Sequence, residues 1–301
     1  MRKTTDAKGH ITALVTILIW GSAFVSTRVL LNHFTPIEII FYRFALGLII
    51  LFILHPRRMK NSNLKQELLF AGAGLTGITL YFLLENLALT YTTASNVGVI
   101  ISLAPFFTAI LAHLFLKSET LRLQFFIGFI VSIAGIILIS FNGRTALDLN
   151  PLGDIFAVLA ALLWAVYSIL TRKISKLGHN IILTTRKIFV YGLVFTLPAL
   201  LVFDFQWGLE RFLQVQNLVN ILFLGFGASA LCFVTWNFAV KTLGAVKTSI
   251  YIYIVPIVTL VTSVIVLNER ISLALLIGIA LTVLGLFLSE RSQKKMPPEK
   301  F

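Results

Sequence analysis

Acidic residues, cysteine and charge of either sign are all scarce in this chain. Aspartate and glutamate number 12 in 301 residues, charged side chains make up 12%, and Cys232 is the one cysteine. A soluble domain carries roughly 25% charged residues, so the shortage excludes an ordinary water-soluble fold. One cysteine excludes an internal disulfide. None of the five histidines stands at metal-ligand spacing from Cys, Asp or Glu,, and His113 alone falls within an apolar segment. No glycine loop of the phosphate-cradling kind occurs, so the sequence calls for no metal, no nucleotide hydrolysis and no cofactor.

Hydrophobic residues are what the chain has instead, at 58% with a mean hydropathy of +0.94. A bilayer-spanning helix needs roughly 20 mostly apolar residues. Such segments fall at 11–31, 36–54, 67–91, 94–116, 121–141, 152–174, 183–203, 216–240, 247–267 and 271–289. The basic-then-apolar start resembles a signal peptide but runs through Leu31 with no small-residue cleavage pattern, and reads as a retained first helix,. The prediction is an all-α integral membrane protein of ten transmembrane helices.

The net charge of +13 sits in short clusters between apolar runs, which speaks for helix-flanking loops and against nucleic acid,. With an inside N-terminus, twenty of the 25 cations flank the inner helix ends; Arg28, Arg43, Arg144, Arg211 and Arg270 fall to the outer side. Cytoplasmic flanks hold the excess of Lys and Arg, so both termini are expected in the cytoplasm of a cell whose inner or plasma membrane the chain spans.

The chain is also written twice. "ALVTILIWGSAFVSTRVL" from Ala13 matches "AVLAALLWAVYSILTRKI" from Ala157, pairing Trp20 with Trp164 and Arg28 with Arg172. Further on, Asn86 pairs with Asn237, Pro105 with Pro256, and Glu119, Gly128 and Gly135 with Glu269, Gly278 and Gly285. Each half holds five helices, an odd number, so the second half enters the membrane from the opposite side. Inverted repeats of this kind mark transporters with a ligand site near midplane. The expected organisation is a first repeat over 11–141, a second, inverted one over 152–289, and cytoplasmic tails at 1–10 and 290–301.

The stretch "LALTYTTASNVGVIISLAPFFTAILAHLFLKSETLRLQFFIGFIVSIAGIILI", echoed in the second half, resembles the repeat unit of the EamA-like permeases of the drug/metabolite transporter superfamily. The second copy departs from it in having "LNERIS" for "LKSETL", one residue closer to the proline. The resemblance implies ten helices, a central cavity lined by helices 1, 3, 4, 6, 8 and 9 with 5 and 10 set apart, and export or exchange of amino acids and other small metabolites.

Within that frame the ionisable residues inside apolar runs stand out, because such groups face a partner or a wet cavity. Glu85 lies roughly 9 Å below the outer end of the third segment and Arg43 roughly 10 Å deep in the second, at 1.5 Å per residue. Their matched depths place them opposite each other. Three roles fit: a static ion pair, a charged anchor for substrate, or, for Glu85, a protonation site coupled to transport. Glu38 is the other carboxylate near Arg43, expected at the interface and solvated. Lys187 is the repeat counterpart of Arg43, whereas Glu85 aligns with Trp236 and is not duplicated.

Aromatic and small polar residues follow helical spacing on the same segments. Trp164, Tyr167, Ser168 and Thr171 share one face, as do Thr16, Trp20 and Thr27,. Tyr81 stands four residues before Glu85. The candidate substrate-binding set is Trp20, Arg43, Tyr81, Glu85, Ser102, Trp164, Tyr167, Ser168, Asn237 and Tyr251, with ordinary packing as the plain alternative for each. Pro105 and Pro256, near midspan of helices 4 and 9, are candidate hinges or static kinks. The patterns Gly128-x-x-x-Ser132 and Gly278-x-x-x-Thr282 suit close packing of helix 5 on helix 10 within one chain rather than a dimer contact.

The function expected is secondary transport of a small molecule, an amino acid first, by alternating access and as a monomer in the lipid bilayer. An exchanger of anionic metabolites or nucleotide sugars is the alternative within that class. A membrane-embedded enzyme or a channel is the alternative outside it.

Overall fold

The computed structural model describes residues 2–57, 59, 62–116, 123–140, 151–203, 205–269 and 272–291. Glu119, Arg144, Arg270 and the tail beyond residue 291 lie outside the described residues. Among the described residues, ten long helices run in order: α1 (Arg2–Leu30), α2 (Pro36–Leu54), α3 (Leu64–Tyr91), α4 (Ala94–Leu116), α5 (Leu123–Ser140), α6 (Pro151–Ser175), α7 (Ile181–Val202), α8 (Val215–Leu243), α9 (Ala245–Leu267) and α10 (Leu273–Arg291). Eight of the described helices are long and apolar enough to cross a membrane; α5 and α10 hold shorter apolar cores, Phe126–Gly135 and Leu273–Gly285. α1 runs back to Arg2, so His10 lies in a helix rather than in a tail.

Local sequence sets the helix starts. Thr35 caps α2 in a capping box with Glu38, and Pro36 occupies the first turn, where its missing N–H costs nothing,. Asn63, Thr93 and Asn180 cap α3, α4 and α7 through their side chains,. Between α8 and α9 a single residue, Gly244, turns the chain at φ 92°, a backbone conformation that glycine alone adopts at no steric cost,.

Four of the long helices are irregular in the middle. α3 and α8 carry wide π-type segments at Leu75–Leu80 and Phe223–Leu231. α4 breaks at Ser102–Leu103, and α9 tightens into a 3-10 segment at Ile250–Ile254. Pro105 and Pro256 stand in the first turn after each break, so each begins a fresh helical run instead of bending a continuous one. Non-regular backbone at membrane depth is tolerated where protein buries it or a cavity solvates it.

The packing repeats with its partners exchanged. α1 rests on α8 and α9, and α6 rests on α3 and α4; α2 packs on the π segment of α8 and α7 on that of α3. The matched arginines act alike: Arg28 donates from its guanidinium to the carbonyl of Leu89, and Arg172 donates to the carbonyl of Val240. This is the exchange expected of two inverted five-helix repeats.

α5 and α10 pack on each other, as their small-residue patterns predict. Ser132 donates to the carbonyl of Thr282 at 3.0 Å. A Cβ on Gly285 would stand 2.4 Å from the Gly128 carbonyl oxygen, and one on Gly135 2.6 Å from that of Gly278. Backbone atoms cannot yield as side-chain ends do. Gly285→Val is therefore expected to pry the two helices apart and cost about 2–3 kcal/mol, read as a lower melting temperature in detergent. Leu284→Ala, at a position half exposed to lipid, serves as the neutral control; equal melting of both variants would refute the close approach.

Candidate functional site

A narrow cavity lies between the repeats, with about 450 Å³ of atom-free space once the open solvent at its mouth is counted. Its walls come from α1, α2, α3, α4, α6 and α9. The resemblance implied α8 in place of α2; instead α8 forms the second layer, and α2 enters because it supplies Arg43. Five sequence candidates meet here: Trp20, Arg43, Tyr81, Glu85 and Trp164.

Arg43 is 1% exposed. Its Nε donates to Ser229 Oγ at 3.1 Å, and its guanidinium carbon lies 4.3 Å from the Phe82 ring centre and 5.3 Å from that of Phe44. The aromatic faces favour the cation, but Nη1 and Nη2 are both buried without a hydrogen-bond partner. Glu85, 4% exposed, lies on the same cavity beside the Tyr81 hydroxyl. Although both residues are described, Arg43 and Glu85 form no ion pair within bonding distance. The contact pair that was one of three readings is not made.

Around the two charges stands an aromatic box. The Trp20 and Trp164 rings meet edge to face at 5.0 Å, Tyr81 lies 4.9 Å from Trp164, and Trp236 lies 5.1 Å from Trp20. Trp20 Nε1 donates to the Ala228 carbonyl at 2.8 Å, while Trp164 Nε1 is buried without a partner. The cavity thus presents three unused donor atoms and one carboxylate in an apolar frame. Trp236, the repeat partner of Glu85, packs behind Trp20 and Trp164 in that second layer.

The other candidates lie off the cavity. Tyr167 donates to Asn237 Oδ1 at 3.0 Å, and Asn237 Nδ2 donates to Thr185 at 3.0 Å, a buried relay joining α6, α8 and α7. Ser102 and Ser168 bond back to carbonyls of their own helices. Tyr251 meets His10 Nδ1 at 2.6 Å, beside the cavity-lining Ile252. Ser229 and Phe82 escaped notice in the sequence, where a serine or a phenylalanine in an apolar run carries no signal.

Two expectations about charge are corrected. Glu38 is fully buried, not solvated: it accepts from Arg211 at 2.8 and 3.0 Å and from the backbone N–H groups of Thr35 and Gln206, both at 2.7 Å. The connection between α7 and α8 folds over the start of α2 and brings these donors with it. The carboxylate holds the Arg211 guanidinium above its ordinary value, so this cation keeps its charge. Lys187, the counterpart of Arg43, does not reach the cavity; it is bonded to Glu67 and Ser62. That leaves Arg43 as the cation on the cavity wall.

The model of the EamA-like transporter family matches this chain twice, over residues 7–141 and 151–291. The chain belongs to that family, and it is a multi-pass membrane transporter. An uncharacterized transporter of Archaeoglobus fulgidus is 27% identical over 293 residues, covering 96% of this chain and 99% of that protein. A protein of Streptantibioticus cattleyicolor described as a "probable terminal-alkyne amino-acid exporter" is 27% identical over 281 residues, 92% of either chain. A solved crystal structure shares the fold with a TM-score of 0.68 at 20% identity, covering 98% of this chain and all of the other.

Proposed function

We propose that this transporter exports amino acids across the cell membrane by alternating access, working as a monomer with both termini in the cytoplasm. The carrying observation is the juxtaposition of Arg43, with two free donor atoms, and Glu85, not paired to it, in one buried aromatic cavity. A zwitterion satisfies both at once: its carboxylate takes the guanidinium fork and its ammonium faces Glu85. Trp20, Tyr81 and Trp164 then enclose the side chain. The similarity to a probable amino-acid exporter supports the same reading.

Alternating access needs two repeats that rock about the site. The breaks ahead of Pro105 and Pro256, in helices that supply Ile101, Ile252 and Val255 to the wall, are where such bending would concentrate. Glu85 is the coupling residue in this reading, because a carboxylate between Arg43 and Tyr81 can exchange its proton for an ammonium group. The surplus of donors also suits an exchanger of anionic metabolites, the second reading.

Counterflow in proteoliposomes with amino acids, organic acids and nucleotide sugars, with and without a pH gradient, decides between them. Glu85→Gln is expected to weaken amino-acid affinity about tenfold or more, as loss of a charge-assisted bond does, and to abolish the response to the gradient while exchange persists. Wild-type kinetics in Glu85→Gln would remove Glu85 from the site. Counterflow with organic acids alone would favour the exchanger.

A further inference from the structure

A second hollow lies away from the cavity, where residues 8–12 of α1 and the start of α7 meet α8. It has about 900 Å³ of atom-free space, open on one side, and its walls include Ile11, Ile182, Val234 and Phe238. The two threonine hydroxyls and the Asn180 carbonyl on these walls are already used. Thr12 donates to the carbonyls of Lys8 and Gly9, Thr235 bonds Thr16 and the Leu231 carbonyl, and Asn180 Oδ1 accepts from the N–H groups of Ile182 and Leu183. What remains for a ligand is hydrocarbon along the walls, the Asn180 amide nitrogen and the Lys8 side chain at the rim.

Lys241, exposed, lies one turn beyond Phe238 on the same face of α8 and adds a second cation at that end,. The wall residue Ile11 is 61% exposed, so the hollow is continuous with the outer apolar surface of the protein. Its rim sits where two membrane-crossing stretches begin, at Asp6 and Ile181. That is the side on which the chain gathers its excess of cations. The cytoplasmic leaflet is also the one rich in anionic lipid, and basic pockets between helices on that side bind its head groups.

We propose that this groove is a binding site for an anionic glycerophospholipid, one acyl chain lying along Ile11, Val234 and Phe238 and the phosphate resting between Lys8 and Lys241. The 2.6 Å bond between Thr16 and Thr235 joins α1 to α8 between the groove and the cavity lined by Ile17 and Trp20. The lipid therefore occupies a site separate from the transport path and clamps α1 to α8 from the outside.

The test uses the full-length protein in detergent, with native mass spectrometry and thermal melting in phosphatidylglycerol, in phosphatidylcholine of the same chains, and in glycerol 3-phosphate. Phosphatidylglycerol is expected to stay bound and raise the melting temperature, phosphatidylcholine to do so weakly, and glycerol 3-phosphate not at all. The double variant Lys8→Gln/Lys241→Gln should lose about tenfold in affinity for phosphatidylglycerol alone. Ile182→Trp, which fills the groove, should weaken both lipids; should it fail to fold, the exposed lysine pair still carries the test. Equal retention of the two lipids by the unaltered protein would overturn the proposal. So would displacement of the lipid by glycerol 3-phosphate, which would mean a phosphate site, or by a transported amino acid, which would mean an entry route.

Discussion

Arg43→Lys is expected to raise the half-saturating amino-acid concentration in counterflow about 100-fold, and Arg43→Met to bring saturable exchange below detection. The guanidinium is held in place by Ser229 through Nε and by the faces of Phe82 and Phe44, which leaves Nη1 and Nη2 as a fixed fork. Such a fork matches both oxygens of a carboxylate; a lysine ammonium on a flexible stem reaches one and cannot lean on the rings in the same way. A buried charge-assisted contact is worth about 3 kcal/mol, and each 1.4 kcal/mol is a factor of ten. Half-saturation and the amount of folded protein are read separately. A residue that merely packed α2 against α8 would lower the second and leave the first unchanged, and that outcome would sink the carboxylate assignment.

The second large effect is expected far from the cavity. Arg211→Met leaves Glu38 fully buried with only the Thr35 and Gln206 N–H groups to face it. Breaking one side of a buried pair costs about 3–5 kcal/mol, because the remaining charge is stranded. Melting in detergent should fall by many degrees, or the protein should fail to accumulate. The double variant Glu38→Gln/Arg211→Met should melt well above Arg211→Met alone, since the stranded charge has gone. Additive losses in that cycle would show that the pair contributes no more than an exposed one.

These two arginines also mark how far a sequence can be read. Arg43 was legible because a cation deep in an apolar run needs a reason, and its depth matched that of Glu85. Arg211 looked like an ordinary loop cation and Glu38 like a solvated interface carboxylate. They are 173 residues apart, and no periodicity links a loop to the start of a distant helix. Lys187 shows the converse: repeat alignment gave it the place of Arg43, yet Glu67, met only across the α3–α7 contact, takes up its charge.

Hydrophobic runs of spanning length and a twofold-written chain determined the ten helices and the inverted halves, because the bilayer constrains each helix one residue at a time. Gly128-x-x-x-Ser132 and Gly278-x-x-x-Thr282 likewise announced the α5–α10 contact, since close approach demands small side chains. Which buried charge is left without a partner, and what therefore remains to greet a ligand, was decided by tertiary structure alone. An electrostatic partner is chosen by distance in space, and helices three or more apart in the chain set that distance only when they pack.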